Sequence, residues 1–246
     1  MDWSDEAIFL SAKPLGEANM VAEVLTLGHG RHLGLVRGGR SRRMRPLLQP
    51  GNLIRVTWRA RLAEHLGGFN VELMEAHAAR VLDDARALAA LSTLAGLARL
   101  LPERDPHPAL YRAALALLRL LDRAELWPAL LVRWELQLLG DLGFGLDLTA
   151  CAATGADTDL AYVSPRSGRA VSREAGRPHC SKLLTLPVFL LDESAPASDA
   201  DILSGLALTG HFLERDVLAP HGLAMPQARD RLISLLGRVP APARSA

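Results

Sequence analysis

The hydrophobic pattern changes its period near Ala76, and this change limits what the chain can fold into. Before it, short apolar runs rich in β-branched residues alternate with Gly- and Pro-containing turn signals, a pattern typical of strands and hairpins. After it, leucines recur at helical spacing, as at Leu88, Leu91 and Leu94. The sequence therefore predicts an α+β protein with more than one domain, the β part first and the α part second.

Five strands are expected before residue 76, over residues 6–10, 21–27, 31–36, 52–58 and 68–74. In the fourth, Ile54, Val56 and Trp58 alternate with Arg55 and Thr57, and a period of 2 places the apolar set inward and the polar set outward. Trp58 facing outward instead would be able to stack on a nucleobase. Five short strands separated by turn signals favour a five-stranded antiparallel β-barrel of OB type.

Helices are expected over about 83–101, 108–123, 127 to 140 or 143, 198–218 and 226–237, with an irregular helix over 183–191. Residues 149–182 interrupt them and contain one strand-like piece at 160–163. The predicted domains are an OB-fold domain (1–80), a helical domain (81–148 and 183–240), an insert (149–182) and a disordered tail (241–246).

Between Val24 and Ala63 the chain carries nine arginines and no Lys, Asp or Glu, although its formal net charge is only +1. Such a concentration of like charge favours an anionic partner. Arginine also pairs bidentately with phosphate and stacks on bases, which lysine does not do. The predicted nucleic-acid-binding residues are Arg31, Arg37, Arg40, Arg42, Arg43, Arg45, Arg55, Arg59 and Arg61. The alternative is a solvated basic face without a ligand; His29 and His32 flank the basic hairpin and are further candidates for phosphate contact.

The sequence contains no Gly-x-Ser-x-Gly, His-Glu-x-x-His, P-loop or Rossmann motif, so we expect no enzymatic activity. The segments 151–154 and 172–175 have the spacing of two Cys-x-x-Cys pairs in a zinc ribbon, but only Cys151 is a thiol. We therefore predict a degenerate, zinc-ribbon-like insert with no metal and no cofactor. Whether Cys151, His179 and Cys180 form a residual metal site stays open.

No run of 18 apolar residues is present, and the first six residues are acidic rather than basic. These features predict no membrane segment and no signal peptide. We expect a cytoplasmic protein in which Cys151 and Cys180 remain thiols.

Three motifs together resemble the RecO family of bacterial recombination mediators. They are Gly-Gly-Arg-Ser-Arg-Arg at 38–43, Leu-Leu-Gly-Asp-Leu-Gly-Phe-Gly-Leu-Asp-Leu at 138–148 before Cys151, and Leu-Ala-Tyr-Val-Ser-Pro-Arg-Ser-Gly at 160–168. The resemblance extends to about residue 237. The chain departs from zinc-bearing members at Thr154, Ser172 and Ala175, so their metal is not carried over; metal-free members also exist.

The resemblance implies an OB-fold domain that binds single- and double-stranded DNA and anneals strands. It also implies binding of the C-terminal tail of the single-strand DNA-binding protein, and cooperation with RecR in loading RecA during recombinational repair. An acidic tail needs an apolar groove with a cation at its rim, for which we predict Arg133 and Arg215. The alternatives are an RNA-binding adaptor without enzymatic activity and a nucleic-acid hydrolase with a dispersed site.

Overall fold

The computed structural model describes residues 1–238; the tail predicted for 241–246 and the end of the predicted helical domain lie outside the described residues. The strands are β1 (Asp2–Leu15), β2 (Asn19–Thr26), β3 (Gly30–Val36), β4 (Leu53–Arg59), β5 (Gly68–Glu75), β6 (Leu160–Val163), β7 (Ala170–Ser172) and β8 (Leu184–Thr185). The helices are α1 (His77–Arg80), α2 (Ala85–Ala98), α3 (Pro108–Arg119), α4 (Trp127–Asp141), α5 (Arg173–Gly176), α6 (Asp199–Phe212) and α7 (Gln227–Leu236). A π-helical stretch, Leu213–Leu218, continues α6.

The chain divides into two compact units, the first spanning Met1–Trp134 and the second beginning at Glu135. The first unit contains the whole barrel together with α2, α3 and the first half of α4. The change from strands to helices near residue 76 therefore lies inside one compact unit and does not separate two units. The domain division predicted from the sequence stays a prediction.

Strands β1–β5 form a closed barrel in the order β1-β2-β3-β5-β4. All pairs are antiparallel except β3–β5, which is parallel and is joined at the pair Leu35 and Gly68. The predicted five-stranded OB-type barrel is confirmed. Its interior is apolar, and Ile54, Val56 and Trp58 of β4 point into it as the alternation predicted.

Strand β1 is much longer than the predicted 6–10 and continues through Pro14. It pairs with β4 from Asp2 to Ile8 and with β2 from Ala7 to Leu15. The second half of β1 thus has one partner strand, and proline is tolerated at such an edge. The sequence Lys-Pro-Leu-Gly at 13–16 is typical of a turn, so the local pattern predicts a strand that ends before it.

The arginine-rich segment 39–51 consists of successive turns. The backbone N–H groups of Met44 and Arg45 both donate to the Ser41 carbonyl. Buried Asn52 closes the segment by donating its side-chain amide to the Pro46 and Leu47 carbonyls at 2.8 and 3.3 Å. The arginines are therefore carried on an ordered support.

The helices of the first unit begin where capping chemistry predicts. The Asp84 carboxylate accepts hydrogen bonds from the backbone N–H groups of Arg86 and Ala87 at the start of α2. Pro108 occupies the first turn of α3, where its missing N–H has no helical partner to lose. Buried Trp134 donates from Nε1 to the Leu110 carbonyl at 3.2 Å and ties α4 to α3.

The second unit has a small antiparallel sheet of order β7-β6-β8 beside α6 and α7. Ser198 caps α6 in a capping box with Asp201. The irregular helix expected over 183–191 is instead β8 followed by a single helical turn at Val188–Leu190. The residue before a proline favours extended backbone, so Pro187 ends one element before the other begins.

A buried ion pair joins three helices of the second unit. The Arg229 guanidinium of α7 donates to both carboxylate oxygens of Glu135 on α4, at 2.8 Å each, and to the Leu206 carbonyl of α6 at 2.6 Å. The Thr209 hydroxyl of α6 donates to the same carboxylate. Arg229 is 3% exposed and Glu135 is fully buried. Every charge here has a fixed partner, as burial of an ion pair requires.

We expect Arg229→Met to destabilise this unit by about 3–5 kcal/mol, because the Glu135 carboxylate would stay buried without its partner. The double variant Glu135→Leu/Arg229→Met removes both charges and is expected to recover most of that loss. The unfolding free energies of the single and double variants are measured by urea titration, with circular dichroism as the signal. Equal stability of the single and double variants would contradict this account.

Candidate nucleic-acid interface

The structure separates the nine predicted arginines according to their acidic neighbours. One is partly buried and forms an ion pair inside the first unit, two are exposed beside carboxylates on the barrel surface, and six are exposed without a carboxylate neighbour. These differences arise largely from strand pairing, which brings together residues that are far apart in the sequence and which a short stretch of sequence does not show. The classes are Arg31; Arg55 and Arg59; and Arg37, Arg40, Arg42, Arg43, Arg45 and Arg61.

Arg31 of β3 is held by the body of the protein. Its side chain is 18% exposed and forms an ion pair with buried Glu23 of β2, while its Nε donates to the Leu101 carbonyl at 2.6 Å. Arg99 contacts the second oxygen of Glu23 at 2.6 Å. Because its donors are already engaged, we leave Arg31 out of the proposed interface.

Glu23 is the centre of this ion group. Burial acts to raise the pKa of its carboxyl, but the hydrogen bonds and charges of Arg99 and Arg31 outweigh burial and hold that pKa below its ordinary value of 4.5. The carboxylate is therefore ionised at neutral pH. It fixes the β2–β3 hairpin to the segment that follows α2.

Arg55 and Arg59 project outward from β4, as the alternation predicted, but each has an acidic neighbour on β1. Arg55 lies 3.9 Å from Glu6, and Arg59 lies 3.9 Å from Asp2. Both pairs are exposed, so each contributes little energy and is weakened by salt. A phosphate is able to compete with these carboxylates.

Six arginines keep exposed guanidinium groups. Within residues 1–238, no carboxylate lies within 4.0 Å of any of them. Four occupy the turn-rich segment 39–51, where Arg40 and Arg45 line a common cleft of about 280 Å³. Unpaired cations on an ordered support are suited to an extended polyanion.

A second groove, of about 730 Å³, opens where the barrel closes with a single parallel pair between β3 and β5. Arg37 and Arg59 stand on its walls, and Thr57 and Asn70 add polar side chains. The Gly67 and Gly68 backbone lines it too, and Gly67 has φ +64°, which favours glycine. The groove thus presents cations and hydrogen-bonding groups together.

Arg104 holds the loop between β4 and β5, which carries Arg61 and ends at this groove. Its guanidinium donates to the backbone carbonyls of Ala63, Glu64 and His65 at 2.6, 3.4 and 3.1 Å. Its own backbone has φ 64°, uncommon for a residue with a side chain, and its N–H donates to the Arg31 carbonyl at 2.7 Å. Sequence reasoning missed Arg104, because nothing in its local pattern marks a contact 40 residues away.

The two histidines beside the basic hairpin are already engaged. His32 is 3% exposed. Burial lowers the pKa of its ring, and its Nδ1 donates to the Leu33 carbonyl, so it is neutral at pH 7. His29 lies 3.1 Å from the Asp5 carboxylate. Trp58 faces inward and donates from Nε1 to the Leu66 carbonyl at 3.0 Å, so the base-stacking alternative for Trp58 is not supported.

Three of the four positions that have zinc-ribbon spacing lie close together in the structure: Cys151, Thr154 and Ser172. The Cys151 sulfur accepts a hydrogen bond from the Ser172 backbone N–H at 3.2 Å. Hydrogen bonds from Ser172 and Thr154 lower the pKa of its thiol to about 6, whereas burial acts in the opposite direction. One sulfur with two hydroxyls does not match the thiolate and imidazole ligands that zinc requires.

Within residues 1–238 no three His, Cys, Asp or Glu side chains are grouped as metal ligands. Cys151 is buried whereas Cys180 is exposed, and the structure gives no support to a residual site with His179. The expectation of no metal and no cofactor stays a prediction.

The two arginines predicted to meet a partner differ in surroundings. Arg133 is half-buried on α4. Arg215, in the π-helical stretch, is exposed but binds both oxygens of Asp216 at 2.6 and 2.7 Å, lies 4.8 Å from the Phe212 ring centre and donates to the Pro165 carbonyl. An acidic partner would have to displace Asp216 from Arg215. Both assignments stay predictions.

No helix in the part of the chain that the structure describes has the length and apolarity needed to cross a membrane.

A closed five-stranded barrel of OB type with exposed arginines, followed by helices and a small sheet, defines the class of nucleic-acid-binding OB-fold proteins with a helical extension. Residues 1–77 match the family model for the N-terminal part of recombination protein O, and residues 82–223 match the model for its C-terminal part. The chain belongs to the RecO family, and the resemblance inferred from its motifs is confirmed.

Similar proteins cover the chain almost completely. It is 54% identical over 240 residues to the DNA repair protein RecO of Methylobacterium nodulans, covering 96% of this chain and 98% of that one. It is 55% identical over 234 residues to that of Rhizobium etli, covering 95% and 91%. For the protein of that name from Rhodopseudomonas palustris the identity is 51% over 242 residues, with 97% of each chain covered.

We expect Glu23→Gln to destabilise the first unit at pH 7 by an amount between the ~1 kcal/mol of an exposed ion pair and the ~3–5 kcal/mol of a buried one. Because the folded-state pKa of Glu23 is lowered, its contribution is present above about pH 4.5 and is lost as pH falls through that lowered pKa. The difference between variant and wild type should therefore shrink in urea titrations between pH 7 and pH 3. If the difference in unfolding free energy between variant and wild type did not change with pH, the ionised Glu23 carboxylate would not be what stabilises this unit.

We expect Arg104→Gln to loosen the β4–β5 loop, because three carbonyl contacts to a charged donor are lost. The His65 amide, which donates to the Leu62 carbonyl within the loop, should exchange with solvent about 10-fold faster or more, since bonds to charged groups contribute ~1.5–3 kcal/mol each. Hydrogen exchange by NMR measures this rate, with Arg112→Gln as an exposed control. An unchanged exchange rate of the His65 amide in Arg104→Gln would show that the loop is ordered without the Arg104 contacts.

Proposed function

We propose that this protein is a mediator of recombinational DNA repair that binds single- and double-stranded DNA through the barrel and anneals complementary strands. The single observation that carries this proposal is the set of six exposed arginines without a carboxylate neighbour, on a barrel that belongs to the RecO family. Relatives covering nearly the whole chain bear the name DNA repair protein RecO. A role in repair of DNA is therefore favoured over the RNA-binding adaptor.

Annealing by such a surface is a matter of electrostatics. Two single strands repel each other through their phosphates, and cations that neutralise part of this charge lower the cost of bringing them together. The groove with Arg37 and Arg59 and the cleft with Arg40 and Arg45 both offer such cations. No bond is made or broken, so the proposed role requires no nucleophile and no metal, and we propose that the protein is not an enzyme.

The remaining proposals concern partners. We propose that the protein binds the acidic, apolar C-terminal tail of the single-strand DNA-binding protein, and that it acts with RecR to load RecA on coated DNA. Arg133 and Arg215 remain the candidate cations for the tail. Charge reversal, as in Arg133→Glu or Arg215→Glu, tests each one by titration with a tail peptide, and an unchanged affinity would remove that residue from the proposal.

Binding of DNA to the six exposed arginines should depend on the salt concentration. If the six arginines each contact a phosphate of single-stranded DNA, the slope of log K against log[salt] should be about −4, and Arg42→Gln/Arg43→Gln/Arg45→Gln should reduce it to about −2, at ~0.7 per contact. Fluorescence anisotropy with a labelled oligonucleotide between 50 and 300 mM salt gives both slopes.

The matched control is Arg112→Gln/Arg123→Gln/Arg166→Gln, which removes three exposed arginines outside the barrel and changes the net charge equally. Its slope should equal that of the wild type. A wild-type slope flatter than about −1, or equal losses in both triple variants, would overturn the proposed site. RNA of equal length as competitor tests the adaptor alternative, and cleavage of the labelled DNA with Mg²⁺ would reveal a nuclease.

A further inference from the structure

A cleft at the start of β1 has chemistry that the arginine surface does not use. It measures about 470 Å³, within the ~300–1,000 Å³ of small-molecule sites. Its lining combines four aromatic ring systems with two residues that carry a positive charge: Trp3, His29, His32, Trp58, Arg104 and Met1. The Met1 amine is fixed by donation to the Ala60 carbonyl at 2.9 Å.

Three rings in this region lie nearly parallel and form a ladder. Trp58 is the buried end, and Trp3 of β1 lies opposite it in the strand register with ring centres 5.7 Å apart and planes 18° apart. His29 stacks on Trp3 with centres 4.0 Å apart and planes 8° apart. His29 is therefore the outer ring of the ladder, and 38% of its side chain is exposed.

The His29 ring is held in a fixed orientation. The Asp5 carboxylate oxygen Oδ2 lies 3.1 Å from its Nδ1 and also accepts the Gly28 backbone N–H at 2.8 Å. Trp3 covers one face of the imidazole, which leaves the opposite face and the ring edge as the sides at which a ligand would meet it. A pre-oriented π face open to solvent favours stacking of another planar ring, because little freedom is lost when the ligand arrives.

The cleft and the arginine-lined groove share a boundary. Asp2 lines the cleft and forms an ion pair with Arg59, which lines the groove. A strand whose phosphates follow Arg37 and Arg59 is therefore able to continue from the groove into the cleft that His29 lines. The planar rings of such a strand are its nucleobases. A base is able to turn toward the protein only where it is unpaired.

We propose that the outer face of His29 stacks one unpaired nucleobase of the DNA strand bound in the groove, extending the ladder of Trp58, Trp3 and His29. The proposal rests on the proposed function and adds to it a preference for single strands. Arginines on phosphates hold single and double strands alike, whereas a stacking site is satisfied only by an unpaired base.

The test compares a single-stranded oligonucleotide with one of equal length whose sugars carry no bases. The wild type should bind the base-bearing strand about 5- to 100-fold more tightly, the range expected for stacking of one base. His29→Leu still covers Trp3 but offers no π face, and should bring the ratio close to 1 without changing affinity for the abasic strand. The control His65→Leu replaces an exposed histidine of the β4–β5 loop and should keep the wild-type ratio.

A second readout does not depend on affinity. On binding the base-bearing strand, the His29 ring protons should shift upfield in NMR spectra, and the abasic strand should leave them in place. An unchanged ratio in His29→Leu, or the same shift with both strands, would overturn the stacking site while the salt-dependent binding stands. Failure of both strands to bind would overturn the proposed function together with it.

Discussion

The ion group around Glu23 determines where much of the first unit lies. One buried carboxylate binds Arg31 and Arg99 at once, and a buried carboxylate is tolerated only when such partners are in place. The β2–β3 hairpin is thereby fixed to the segment after α2. The same segment places Arg104 against the β4–β5 loop. The ion group around Glu23 therefore helps to position two features: the loop that ends at the arginine-lined groove, and the cleft that Arg104 lines.

The same group shows why a count of arginines overstates a binding surface. Arg31 belongs to the acid-free stretch of sequence, yet it is neutralised by Glu23, one residue outside that stretch. Arg55 and Arg59 meet Glu6 and Asp2 across the β1–β4 ladder. Strand pairing places residues some 50 positions apart side by side, and carboxylates arrive by that route. What remains is a smaller and better defined cationic surface on turns and groove walls.

Much of the fold follows from local pattern. The alternation in β4, the Asp84 and Ser198 caps and the proline at the start of α3 are interactions between near neighbours in the chain, and each element begins where they indicate. Prediction failed where longer contacts decide. The length of β1 depends on its pairing with two different strands, β4 and β2, which local periodicity does not record.

The sequence by itself determined the family, the order of barrel and helices, and the concentration of arginine, because these reside in residue identity and spacing. Only the tertiary structure decided which exposed arginines have no carboxylate neighbour and that Arg104 positions a loop. It alone decided that His29, rather than Trp58, ends an exposed ladder of rings. The physical reason is that charge neutralisation and ring stacking are set by distances between atoms, and barrel closure brings together groups that the chain separates by dozens of residues.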